Sequence, residues 1–85
     1  MANYSTKAER DELLQKALAL VTPGVFRELQ DLRDWPGKRS ARIEEMRQKL
    51  MQQTGITHER AKMYIGRAMS VRIRVTVAAT EPQRR

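Results

Sequence analysis

Three breaks do most to decide how this chain can fold. Pro and Gly stand together in Thr22-Pro23-Gly24 and in Trp35-Pro36-Gly37, and Gly55 interrupts a third stretch. Proline lacks an amide hydrogen and glycine tolerates a left-handed backbone, so such positions end helices. The pieces between the breaks each carry apolar residues at helical spacing, which predicts a chain of short helices.

Thr6-Lys7-Ala8-Glu9 fits a capping box, and Leu13, Leu14, Ala17, Leu18 and Val21 follow it, predicting a helix over 7–21. Thr22 can cap a second helix with Pro23 at its first position; Val25, Phe26, Leu29 and Leu32 predict 23–34. Trp35 is expected to fold back as a lid on the core. Ser40 can cap a third helix over 41–53, with Ile43, Met46 and Leu50 inward, closed by Gly55. Thr57 can cap a fourth over 58–70, where Ala61, Tyr64, Ile65, Ala68 and Met69 make one face.

The period then changes. Val71, Ile73, Val75 and Val77 alternate with Arg72, Arg74, Thr76 and Ala78, which predicts a strand over about 71–79; the alternative is that the fourth helix runs on to about 74. A lone strand needs a partner for its backbone groups. The same strand of a second copy, antiparallel about a two-fold axis, supplies one, so Val71, Ile73, Val75 and Val77 are the expected dimer contacts. The expected fold class is mainly α, four helices and a C-terminal strand that pairs across a homodimer. One domain covers 1–79, and 80–85 is expected to be a disordered tail.

A chain this small generally needs a staple beyond its own core. It has no cysteine and one histidine, His58, so disulfides and the usual zinc sites are excluded and no cofactor is expected. A homodimer is the staple that remains. The longest apolar runs, such as Ala17 to Val21, are five residues, against about 18 for a membrane span. The first residues have no apolar stretch of signal-peptide type. A soluble, cytoplasmic protein with no membrane partner is expected.

The charge points to a polyanion. The net charge is +7, and it is unevenly placed. Residues 1–37 hold five Lys/Arg and six Asp/Glu, a net of −1, whereas 38–85 hold twelve and four, a net of +8. One basic half beside a neutral one resembles a nucleic-acid footprint more than a solubility device.

Within the basic half, Arg47 to Gly66 resembles a helix-turn-helix. Leu50 packs the first helix, Gly55 takes the turn, Ile56 plugs the angle, and Ala61, Tyr64 and Ile65 line the inside of the second. That spacing lets the second helix project into a major groove. Met51 and Thr54 depart from the usual pattern, where a small and an apolar residue are common, and a plain αα-hairpin is the structural alternative. The motif's outward face would be Thr57, His58, Glu59, Lys62, Met63 and Gly66, flanked by Arg60 and Arg67. Thr57 suits a phosphate at the helix N-terminus. His58, Glu59 and Lys62 suit base edges, and Met63 a thymine methyl. Gly66 would allow close backbone approach. Arg67, Arg60, Arg42, Arg39 and Lys38 suit phosphates. Each has a bland reading as a solvated or dipole-serving side chain.

In size and organisation the chain resembles the small helix-turn-helix transcriptional repressors of bacterial plasmids and phages, the KorC-like group. The resemblance implies a double-stranded DNA partner, a palindromic operator bound as a dimer, and repression by blocking a promoter. With no ligand domain in so short a chain, no small-molecule effector is expected. No nucleophile–base–acid trio or glycine-rich phosphate loop stands out, so no enzymatic activity is expected. The rival functions are a protein-binding module, an antitoxin or phage-encoded inhibitor whose basic face meets an acidic partner, and a nucleic-acid binder without sequence preference.

Overall fold

The computed structural model describes residues 6–80, with side chains to Val75. Four helices follow one another, with no strand among the described residues: α1 (Lys7–Leu20), α2 (Pro23–Asp31), α3 (Pro36–Thr54) and α4 (His58–Thr80).

Local chemistry accounts for most of the boundaries. The Thr6 hydroxyl accepts from the Glu9 amide at 3.1 Å, and the Thr6 amide donates to the Glu9 carboxylate at 2.9 Å, so the capping box is formed. Thr22 caps α2 by accepting from the Val25 amide at 3.1 Å, with Pro23 in the first turn. Gly55 closes α3 at φ 76°, its amide donating to the Met51 carbonyl at 2.7 Å. The left-handed region costs a residue with a Cβ about 1–2 kcal/mol, which is why glycine serves here. Thr57 accepts from the Arg60 amide at 3.2 Å and so starts α4.

The third helix begins earlier than Ser40. Pro36 occupies its first turn and Trp35 its N-cap, where the indole makes no capping hydrogen bond. Proline at a first helical position is favourable because its missing amide hydrogen would go unused there. The Pro36-Gly37 break therefore opens a helix just as Pro23-Gly24 does. The second helix is correspondingly shorter, and a turn over 32–34 joins it to α3. Trp35 is not a core lid: it is 54% exposed, with the Lys38 ammonium 5.9 Å from its ring centroid.

The expected strand over 71–79 is instead the last part of α4, and with it falls the strand pairing across a dimer. The reason lies in what a helix does with Arg72. Its guanidinium reaches the end of α1 and donates to the Leu18 carbonyl at 3.0 Å and the Val21 carbonyl at 2.7 Å. Helical backbone also satisfies its own donors and acceptors, so no second chain is needed to pair them. Val71 is half-buried, Ile73 and Val75 are exposed, and the side chain of Val77 lies outside the described residues. Of the tail expected over 80–85, Thr80 ends α4 and 81–85 lie outside the described residues.

One core joins all four helices. Ala17, Val21, Phe26, Leu29, Ile43, Met46, Leu50, Ala61, Tyr64, Ile65 and Ala68 are buried. Each inward position expected for α4 is found there, with Met69 half-buried at the edge. Burying a side chain such as Leu50 or Leu29 is worth about 1.5–3 kcal/mol. α1 and α3 both pack along α4 and against each other, and α2 also meets α4, its Phe26 and Leu29 lying beside Met69 and Ile73. The consequence for the surface is that α4 is held on one side only.

Candidate nucleic-acid interface

The burial of Ala61, Tyr64, Ile65 and Ala68 fixes the rotation of α4. Residues about half a turn away must then point outward. Glu59, Lys62, Met63, Gly66 and Arg67 are exposed, and Ser70 and Arg74 continue the same side as the helix runs on. Met63 is 40% exposed, an apolar side chain among polar neighbours. Gly66 has no heavy atom within 4 Å of where a Cβ would stand, so nothing in the fold demands glycine there. The Arg67 guanidinium lies over the Tyr64 ring at 5.6 Å, which steadies a cation beside the buried face.

Several of the expected contact residues are engaged inside the fold. The His58 ring Nε2 faces both Glu44 carboxylate oxygens, at 3.0 and 2.9 Å, and ties the start of α4 to α3. Gln48 donates to the same carboxylate at 2.8 Å and Arg47 at 3.3 Å. Hydrogen bonds from Gln48 and His58, then Arg47, hold the Glu44 carboxyl at about 2, well below its ordinary value. A base contact by His58 therefore competes with Glu44.

Arg42 is drawn away from the role of a phosphate contact. Its Nε donates to Glu28 at 2.9 Å and its Nη1 to Glu45 at 3.0 Å, joining α3 to α2. Those hydrogen bonds, Glu28 first, raise its already high pKa. Arg60 turns to the other side of α4, where it is half-buried and lines a cleft with Glu9, Glu12 and Lys16. The Thr57 hydroxyl oxygen accepts from the Arg60 amide as the α4 cap, which leaves its O–H able to donate. Lys38 is exposed and Arg39 half-buried at the start of α3, away from the turn between α3 and α4. Of the eleven residues expected to meet DNA, the fold thus gathers Glu59, Lys62, Met63, Gly66 and Arg67 on one open face.

Arg72 and Arg74 are indistinguishable as alternating strand residues. On a helix they are about 200° apart, and the structure separates them: Arg72 caps α1, and Arg74 is exposed. The signal for this is present in the sequence. The inner row Ala61, Ile65, Ala68 continues at helical spacing to position 72, where the chain places a long side chain able to cross to α1.

No helix among the described residues is long and apolar enough to cross a membrane. No group of three or more His, Cys, Asp or Glu among them could hold a metal ion. Comparison with known proteins finds no matching family model, no similar curated protein and no similar solved structure.

Proposed function

We propose that this chain binds duplex DNA through the outward face of α4 and acts as a transcriptional regulator, repressing by occupying a promoter. The observation that carries the reading is the register of α4. Tyr64 is 1% exposed while Lys62, two residues earlier, is exposed, and both stand behind the short Gly55-Ile56-Thr57 connection from α3. In a helix-turn-helix that arrangement offers Lys62 and Met63 to base edges and leaves Arg67 for a phosphate. The uneven charge supports the same reading, since the +8 half carries the candidate face.

The test is selection of bound duplexes from a random library at near-physiological salt. Enrichment of one sequence supports a specific regulator, and a palindrome among the enriched sequences means that two copies bind. Retention without enrichment, falling steeply with salt, would instead make it a nucleic-acid binder without sequence preference. No retention of any duplex overturns the proposal.

A further inference from the structure

We infer that a second surface of this protein, an open hollow between the end of α2, the start of α3 and the last part of α4, docks an acidic amphipathic helix of a partner protein. The floor of the hollow is apolar: half-buried Met69 and exposed Ile73 line it over the buried edges of Phe26 and Leu29. Ile73 is 49% exposed and adds its side chain to the half-buried Met69. Arg33 and Arg39 stand on the rim. Neither forms an ion pair among the described residues, whereas Arg42 and Arg47 nearby on α3 both do.

An apolar floor under unpaired cations selects its occupant by chemistry. A helix laid in the hollow can put leucine-like side chains on the floor at i, i+4 spacing and its carboxylates against Arg33 and Arg39. Duplex DNA supplies the anion but not the apolar surface, so Met69 and Ile73 would stay wet or meet phosphate. A second copy docking through its own Ile73 brings the exposed Arg74 beside that residue, setting a like charge against the rim. The hollow lies some three turns of α4 beyond Lys62, so it can be filled while the proposed DNA face stays open. The inference does not depend on that DNA reading.

The probe is a labelled peptide of leucine, alanine and glutamate, patterned as an amphipathic helix roughly four turns long. A counterpart carries lysine in place of every glutamate. The full chain is titrated with each, and binding is read by fluorescence anisotropy and by Trp35, the sole tryptophan and next in sequence to the rim residue Pro36. Saturable binding of the acidic peptide with a change in Trp35 emission is expected, and none for the lysine counterpart. Ile73→Glu and Arg33→Glu change exposed residues, so both variants should keep the parent helicity by circular dichroism. Each should weaken the peptide by at least about tenfold, the scale for losing a central interface contact. Lys62→Ala should not weaken it. Equal binding of both peptides, or unchanged affinity in Ile73→Glu, overturns the inference. So does light scattering in which the parent self-associates and Ile73→Glu is monomeric, because a second copy then owns the hollow. Displacement of the peptide by a short duplex gives the rim to DNA and overturns it too.

Discussion

Arg72 and Val21 lie 51 residues apart in sequence and 2.7 Å apart in space, the guanidinium of one donating to the carbonyl of the other. α1 has no basic residue in its own last turn. The cation that answers its dipole and its open carbonyls comes from α4 instead. Arg72→Ala should therefore cost about 1.5–3 kcal/mol, the usual range for hydrogen bonds from a charged group. That lowers the melting temperature by several degrees in a domain of this size. Arg74→Ala should stay within about 0.5 kcal/mol of the parent. Equal melting of the two variants would put residues 72 and 74 back on equivalent faces and contradict the helix.

Lys62 and Tyr64 should divide reading from folding. Lys62→Ala is expected to melt like the parent and to lose about 1–3 kcal/mol on the selected duplex, with relaxed preference at one position. Tyr64→Ala removes a ring buried in the core and should cost about 3–5 kcal/mol of stability. Melting and duplex titration on both variants check this; an early-melting Lys62→Ala beside a normal Tyr64→Ala means a rotated helix.

Gly66 gives a prediction in which stability and binding move in opposite directions. A Cβ there meets open space, and glycine within a helix is less stable than alanine by roughly 0.5–1 kcal/mol, so Gly66→Ala should raise the melting temperature. If a duplex backbone approaches that point, the same substitution lowers affinity. A stabilised variant with parental affinity removes Gly66 from the contact face. Gly55→Ala, at φ 76°, should instead destabilise by about 1–2 kcal/mol.

Arg67 and Arg42 both suit phosphates by sequence, and they should part company in a salt titration. Arg67→Ala is expected to flatten the slope of log affinity against log salt by about 0.9. Arg42→Ala should leave the slope alone, because its guanidinium is held by Glu28 and Glu45. A flattened slope for Arg42→Ala would show that those ion pairs open on DNA.

Glu44 sets an acid-side behaviour whose sign is fixed. Its folded-state value, about 2, lies below the ordinary 4.5, so its hydrogen bonds add stability above that ordinary value. The contribution fades as pH falls through 4.5 and is gone once pH drops below about 2. The carboxylate is well exposed, so the effect should be small and weakened by salt. NMR titration of the Glu44 carboxyl checks the midpoint, and His58→Ala should move it upward; an unmoved midpoint means that His58 is not one of its partners in solution.

Side chains that act locally are legible in the sequence. Thr6 and Glu9, Thr22 and Pro23, and Gly55 each mark a boundary through bonds to neighbours a few residues away, and helical spacing alone sorts Tyr64 inward and Lys62 outward. What stays hidden is non-local or rests on a competing period. Val71 to Val77 alternates perfectly as a strand, but the same residues on a helix let Arg72 reach α1, a contact with a partner 51 residues upstream. His58 and Arg42 look like free contact residues because their partners, Glu44 and Glu28, are each 14 residues away on another helix. Pro36 reads as a stop although Pro23, in the same setting, reads as a start. The physics is common to both: the residues after a proline, not the proline itself, decide whether a helix begins.

The closure of α1 by Arg72 also bears on how the chain is made. Leu18 and Val21 leave the ribosome before residue 72, and until Arg72 follows, the carbonyls it bonds in the finished fold have water as their partner. α1 is thus made before α4 and yet is closed only by it, a helix whose last turn waits for a side chain 51 residues later. A chain arrested before Arg72 should show its slackness at the opposite end, in rapid hydrogen exchange over α1.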